Sequence, residues 1–522
     1  MFVLLTTLFL FLTALTLLIL RWVRPDFRFT WLIATGGSFL AWIGILLWQL
    51  RLPSDFTLPS WQPASLFTTP PAFLVNDLTW PYALSLVTLA LAVLLTSVVR
   101  ENFPKSLSWA GMLILTGLGL LAVLANNPFT LVLVWAALDL TELILHLRLA
   151  DSPNLSERVV IVFFTRVAGS GVLLWANMVS IAAGTPMTFQ AILPQAGLYL
   201  LIAAGLRLGA LPLHLPYTTG STLRRDFGTI LRFVSAASSL ALLTRIPPSS
   251  LVSPLIPFLM LLAAFTALYS SWIWLRAPDE ITGRPFWMLG LAALAVASAL
   301  NANPAGSVAW GCAMIIVGST LFLSTIQHRW LTRFILVVGT WGLSTLPFSP
   351  TAAGWQGGGI NFWLFLPFFI GAQTLILAGF IHHVLRSVGE NFKSQPRWAQ
   401  IVYPIGIGLP LVTYLIIGPW GWRGAPSIDL WPIGLVVVTL AASLVWFMPR
   451  SKLLKPPQAH WIRPISNSRI DQFYLILRGI YRLLERLCVI VSNILESDGG
   501  IIWTLLFLVL FISLLTQRLS NP

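Results

Sequence analysis

Three ionisable side chains interrupt the apolar segment LVWAALDLTELILHL (133–147): Asp139, Glu142 and His146. Their spacing of i, i+3 and i+7 puts all three on one face of a helix. Three arginines stand inside other apolar runs, Arg166, Arg207 and Arg232, and His214 follows Arg207 by seven positions. Carboxylates and imidazoles can exchange protons, whereas a guanidinium keeps its proton throughout the physiological range. Two chemistries fit this set. The acids can neutralise the arginines and lock helices together, or they can line a hydrated path for protons or cations, with Arg166, Arg207 and Arg232 tuning the charge. No metal-ligand cluster, nucleophile constellation or phosphate-binding loop accompanies them, so no catalytic residue, metal or cofactor is expected. The two cysteines, Cys312 and Cys488, cannot supply a disulfide framework or an iron–sulfur cluster.

The elements that hold these residues must lie in a bilayer. Of the 522 residues 57% are hydrophobic and only 9% charged, with a mean hydropathy of +0.85. Soluble domains carry about 25% charged residues, so there is too little charge here to cover a water-exposed surface. Disorder is excluded by the 24 Trp and 32 Phe. The formal charge of +14 does not indicate nucleic acid, because the basic residues form short groups between apolar runs instead of one patch. Ionisable groups at bilayer depth are costly, which is why Asp139 and Glu142 stand out.

A span needs about 20 apolar residues. Such runs lie near 1–20, 29–50, 80–99, 107–124, 129–147, 159–183, 197–217, 227–244, 255–275, 286–300, 305–327, 334–356, 361–385, 401–420, 430–448 and 500–516, sixteen in all. The first run lacks a basic start and a cleavage site, so no removable leader is expected. Twenty basic residues fall in loops after odd-numbered spans, from Arg21 and Arg24 to Arg463; the loops after even-numbered spans hold only Arg51, Arg245 and Arg423. This asymmetry predicts cytoplasmic odd loops and an outside N-terminus. His328, His382 and His383 fall at the cytoplasmic ends, where solvated or headgroup-facing histidines are expected.

Residues 468–496 carry apolar residues at helical spacing opposite Arg478, Arg482, Glu485 and Arg486. They predict an amphipathic helix of roughly 40 Å lying along the membrane surface. Spans seven and twelve contain Pro212 and Pro216, and Pro347 and Pro350. Each should be broken there, and breaks at matching places point to internal repeats. The predicted fold is an all-α polytopic membrane protein with two inverted five-helix repeats. Its expected divisions are 1–106 (spans one to three), 107–245 and 255–386 (the repeats), 400–450 (further spans), 468–496 (lateral helix) and 500–517 (last span).

Several segments together resemble the antiporter-like membrane subunits of respiratory complex I, a family shared with multisubunit cation/proton antiporters and membrane-bound hydrogenases. FLVNDLTWPYALSL (73–86) is similar to the family's start of span three, NNPFTLVLVWAALDL (126–140) to its span five and SERVVIVFFTRVAGSG (156–171) to its span six. Arg207, Pro212 and His214 stand at the family's Lys, Pro and His spacing in span seven, and GLSTLPFSPTAAGW (342–355) resembles span twelve. The likeness covers about residues 70 to 385. It implies a subunit among other membrane subunits of an assembly in a bacterial cytoplasmic membrane, carrying protons or cations through paired half-channels. Flavin, clusters and quinone, and any NADH oxidation, would belong to other subunits.

The departures are specific. The family's span-five glutamate falls on Ala136, with Asp139 and Glu142 a turn or so later as substitutes. The span-seven lysine falls on Arg207, and span twelve has no acid or base. Two functions follow: a translocating subunit in which Asp139, Glu142, His146 and His214 carry protons, or a degenerate member kept as a scaffold. A stand-alone transporter or lipid-handling enzyme is disfavoured by the missing chemistry.

Overall fold

The computed structural model describes residues 2–25, 27, 29–59, 69–100, 106–148, 153–215, 225–357, 360–386, 390–392, 395–420 and 430–447. The expected lateral helix (468–496), the last span (500–516) and Pro216 lie outside these residues. Within them, fifteen α-helices follow the order of the first fifteen apolar runs. They are α1 (Phe2–Val23), α2 (Thr30–Trp48), α3 (Trp80–Thr96), α4 (Ser106–Leu124), α5 (Pro128–Arg148), α6 (Pro153–Ala182), α7 (Pro194–Leu208) and α8 (Arg225–Leu243). The chain continues through α9 (Ile256–Arg276), α10 (Glu280–Leu300), α11 (Pro304–Leu323), α12 (Arg329–Leu343), α13 (Ile360–Val384), α14 (Arg397–Trp420) and α15 (Trp431–Phe447). Twelve of them are long and apolar enough to cross a membrane. The protein is an integral membrane protein.

Of the three helices that fall short, α15 has 17 residues, and the other two end for a reason written in the sequence. α7 and α12 have 15 residues each, a length of about 22 Å against a hydrocarbon core of about 30 Å. Both stop at the residue four before a proline, Leu208 before Pro212 and Leu343 before Pro347. A proline ring clashes with the carbonyl four residues back, so neither helix can continue. After α7 the chain turns through Gly209 at φ 74°, a left-handed C-cap that favours glycine. After α12 it passes through Thr345 and Phe348 at φ 57° and 63°, then forms a 3₁₀ turn over Ala352–Trp355.

Four helices make the buried centre: at least 94% of the apolar window is buried in α3, α8, α10 and α11. Peripheral helices contrast sharply, with α5 at 39%. Small residues allow the central backbones to approach, as membrane packing requires. At Gly311 of α11 a Cβ would collide with the ring of Tyr82 on α3, whose hydroxyl donates to the Ser307 carbonyl at 3.0 Å. Two features were not foreseen from the apolar runs. A short antiparallel hairpin, β1 (Ser54–Thr57) with β2 (Ala72–Val75), precedes α3, with Ser54 opposite Val75. A two-residue parallel pair, β3 (Ile326–Gln327) with β4 (Glu390–Asn391), links the loops after α11 and α13.

Two expectations at the basic-loop end are corrected. Arg284, read as a loop residue, lies in the first turns of α10 and is buried. The helix starts early because Asp279 caps it, accepting from the Thr282 backbone N–H at 2.6 Å. His383, expected at a solvated position, is only 5% exposed. It packs against Trp274 of α9, ring centroids 4.4 Å apart, because α13 lies closely along α9.

Candidate functional site

On α5 the face bearing Asp139, Glu142 and His146 is buried, while Leu140, Ile144 and Leu147 on the opposite side are exposed. Helical spacing thus turns the ionisable groups inward and the leucines and isoleucine outward. α6 and α7 pack against that inner face and bring the cations. Both Nη atoms of Arg207 donate to Asp139, Nη1 to Oδ2 and Nη2 to Oδ1, each at 2.7 Å. This bidentate fork is the strong form of a carboxylate–guanidinium contact. Arg207 Nη1 also donates to the Arg166 carbonyl at 3.1 Å and to Ser170 Oγ at 3.2 Å.

Arg166 on α6 bridges the two acids. Its Nη1 donates to Glu142 Oε2 and lies 3.7 Å from Asp139 Oδ1. Glu142 turns its other oxygen toward His146, with Oε1 3.6 Å from Nε2. Two carboxylates thus face two permanent cations, and the cluster is neutral apart from whatever proton His146 holds. In a low-dielectric setting that balance decides stability, since an uncompensated buried ion costs several kcal/mol. Asp139, Glu142, His146 and Arg166 also line a cavity of about 10 Å³, closed by Leu143, Val159, Val162 and Phe163. That is about the volume a single water requires.

The remaining expected residues are placed apart from the carboxylates. Arg232 is buried on α8, but among the described residues the ion pairs of Asp139 and Glu142 come from Arg166 and Arg207. His214 lies beyond the end of α7, buried, with Nδ1 2.9 Å from the Pro212 carbonyl. Among the described residues, no group of three or more His, Cys, Asp or Glu is arranged to hold a metal ion.

Three contributors escaped the sequence reading. Trp135, one turn before Asp139, lies under the Arg207 guanidinium at 4.0 Å, a cation–π contact. Its indole N–H donates to Ser238 Oγ on α8 at 2.8 Å. Gly169 on α6 leaves the space that the Arg207 stem fills; a Cβ there would sit 2.6 Å from Arg207 Cγ. A row of surface-end ion pairs also went unread. Arg100 pairs with Asp226, and Arg225 with Glu280 at 2.6 Å. Asp226 and Glu280 both sit in first turns of helices, where acids complement the helix dipole.

No family model matches the chain, and no curated relative matches it. Solved structures do. A chain of the Mrp complex from Dietzia sp. aligns over 100% of this chain and 63% of its own length, with 14% identity and a TM-score of 0.71. This chain therefore spans less than two thirds of that one. A chain of the membrane-bound sulfane sulfur reductase, an archaeal respiratory membrane complex, aligns over 97% and 99% with 13% identity and a TM-score of 0.63. One from respiratory complex I of Thermus thermophilus aligns over 84% and 100% with 16% identity and a TM-score of 0.61. The chain shares the fold of these chains from multisubunit membrane complexes.

Proposed function

We propose that the chain is a membrane-arm subunit of a complex I-like or antiporter-type assembly, associated with proton or cation translocation coupled to electron transfer in other subunits. The buried ion cluster of α5, α6 and α7, set in this fold, carries the reading. Its partners are other membrane subunits and the lipid bilayer. The basic loops face the cytoplasm of a bacterial cell, and the N-terminus lies outside. The two five-helix units, 107–245 and 255–386, are the functional halves.

Within the cluster the roles divide. Protonating Asp139 would remove the charge that offsets Arg207 and leave a buried guanidinium uncompensated, so Asp139 and Arg207 set a fixed field. Glu142 and His146 are the exchangeable end, because one Glu142 oxygen faces an imidazole that can take up or give a proton. His214, beside the α7 break, is the next proton carrier. Arg232 adds positive charge that tunes it.

A second reading, a scaffold without a complete ion path, is favoured by one observation: both acids already face guanidiniums that cannot give up protons. Glu142→Gln and His146→Gln in the intact assembly separate the two. Translocation predicts a fall in ion transport of about tenfold or more with assembly preserved, the scale of a lost proton-transfer group. Unchanged transport in a fully assembled complex supports the scaffold instead.

A further inference from the structure

A ladder of polar side chains runs along α8. Arg225, Thr229, Arg232, Ser235 and Ser238 follow one another at steps of four or three residues, so each neighbours the next on the helix surface. From Thr229 onward all are buried. The ladder spans residues 225–238, about 20 Å of helix, and its two ends meet different things. Ser238 Oγ accepts from the Trp135 indole at 2.8 Å, and Trp135 lies under the Arg207 guanidinium of the ion cluster. Arg225 pairs with Glu280 of α10 at 2.6 Å and donates to the Ser324 carbonyl at 3.4 Å. Glu280 and Ser324 line a cavity of about 40 Å³ at the basic-loop end, with Thr332 of α12, His383 of α13 and Arg386. That is several times the room one water requires. Polar groups thus lead from this cavity to the ion cluster.

Arg284 of α10 stands across the ladder and is 1% exposed. Its Nη1 donates to Thr229 Oγ1 at 2.8 Å and to the Arg225 carbonyl at 3.4 Å. Its guanidinium lies 5.9 Å from the centre of the Phe322 ring, and its Nε is buried without a hydrogen-bond partner. Among the described residues no carboxylate is within ion-pair reach of it: Glu280 is held by Arg225 and Asp226 by Arg100. The charges that bear on Arg284 are those of Arg232 and Arg225, both positive. A hydroxyl, a carbonyl and a ring face offset part of its charge, yet a positive excess is left that burial makes expensive. A neutral donor would serve to tie α10 to α8. A charge kept at this cost calls for a use of the charge itself.

We infer that Arg284 is an electrostatic barrier, which keeps protons and small cations in the basic-loop cavity from passing along α8 to the ion cluster. A fixed positive charge in a low-dielectric wall repels a cation before it reaches the hydroxyls beyond, as a single arginine does in pores that exclude protons. The guanidinium never gives up its own proton, so the barrier is permanent. Arg232, on the same ladder, adds to the field. The inference stands on the uncompensated charge and not on transport by the cluster, so failure of the Glu142 and His146 variants to alter transport leaves it untouched.

The full chain in lipid vesicles, under an imposed pH step and without electron transfer, tests this through passive proton entry followed with an internal pH dye. Arg284→Met is expected to raise the leak rate about tenfold or more. Its thermal stability should be unchanged or higher, because the lost charge has no counter-ion. Arg284→Lys keeps the charge and is expected to leave the leak at the native level. If the methionine variant does not fold, Arg284→Gln, which keeps a donor toward Thr229, takes its place. A folded neutral variant as tight as the native chain overturns the inference. So does an equal leak in Arg284→Lys, since the fit of the guanidinium, and not its charge, would then be what seals the ladder.

Discussion

The two helix breaks are made by the same residue type, and only one of them has an ion cluster beside it. Beside α7 stand charges, with Asp139 gripping Arg207 through two hydrogen bonds and Arg166 tying in Glu142. The break itself is closed by neutral groups: the Gly205 carbonyl accepts from the Ala210 backbone N–H at 2.9 Å and the Ala210 carbonyl from the Thr266 hydroxyl at 3.1 Å. At α12 neutral groups close the break too. Gln373 of α13 donates from Nε2 to the Leu343 carbonyl at 2.8 Å and accepts from the Trp355 indole at 2.8 Å. Thr351 Oγ1 donates to the Gly342 carbonyl at 2.7 Å and accepts from the Thr345 backbone N–H at 3.1 Å. The Thr351 bond helps sustain Thr345 in the left-handed region, where a non-glycine residue persists only when its surroundings over-determine it. A broken helix therefore demands satisfied carbonyls, and it does not by itself demand ions. Ionisable groups beside α7 exceed what the break requires, and that excess is the physical reason to assign them a further role.

The contrast can be broken at either side. Arg207→Leu leaves Asp139 charged and without its bidentate partner, while Trp135 loses the cation above it. The expected cost is about 3–5 kcal/mol, read as a large fall in the thermal stability of the purified chain and loss of assembly. Gln373→Leu removes a neutral hub and takes away the hydrogen bonds it makes with the Trp355 indole N–H and the Leu343 carbonyl. About 1–3 kcal/mol is expected, a smaller fall in thermal stability. If Gln373→Leu proves the costlier of the two, the second break is the more tightly held and the comparison is reversed.

How much of this could be read beforehand depends on the kind of signal. Helix order followed from apolar length, because a bilayer leaves few alternatives to a span. The stops of α7 and α12 were signalled by Pro212 and Pro347, and the ring–carbonyl clash fixes them four residues earlier at Leu208 and Leu343. The inward face of α5 was legible from the spacing of Asp139, Glu142 and His146. Which arginine each acid meets was not, since partner choice depends on how α6 and α7 rotate against α5. Arg232 was equally plausible from sequence and makes none of those pairs. Nothing in the spacing singled out Trp135 or Gly169, because their roles exist only once Arg207 lies between them. The burial of His383 was hidden for a similar reason, because its place at a helix end suggests solvent until α9 covers it. Arg284 looked like a loop residue since the Asp279 cap extends α10 by two turns before its apolar run begins.

The most direct test of the cluster is a double-mutant cycle on Asp139→Asn and Arg207→Gln, with unfolding free energies measured for the full chain in a defined detergent. A closed, buried, bidentate pair predicts strong non-additivity, with the double variant at least about 2 kcal/mol more stable than the two single losses sum to. Losses that add within about 0.5 kcal/mol would mean that these two side chains do not depend on each other, and the ion cluster would not be what organises α5, α6 and α7.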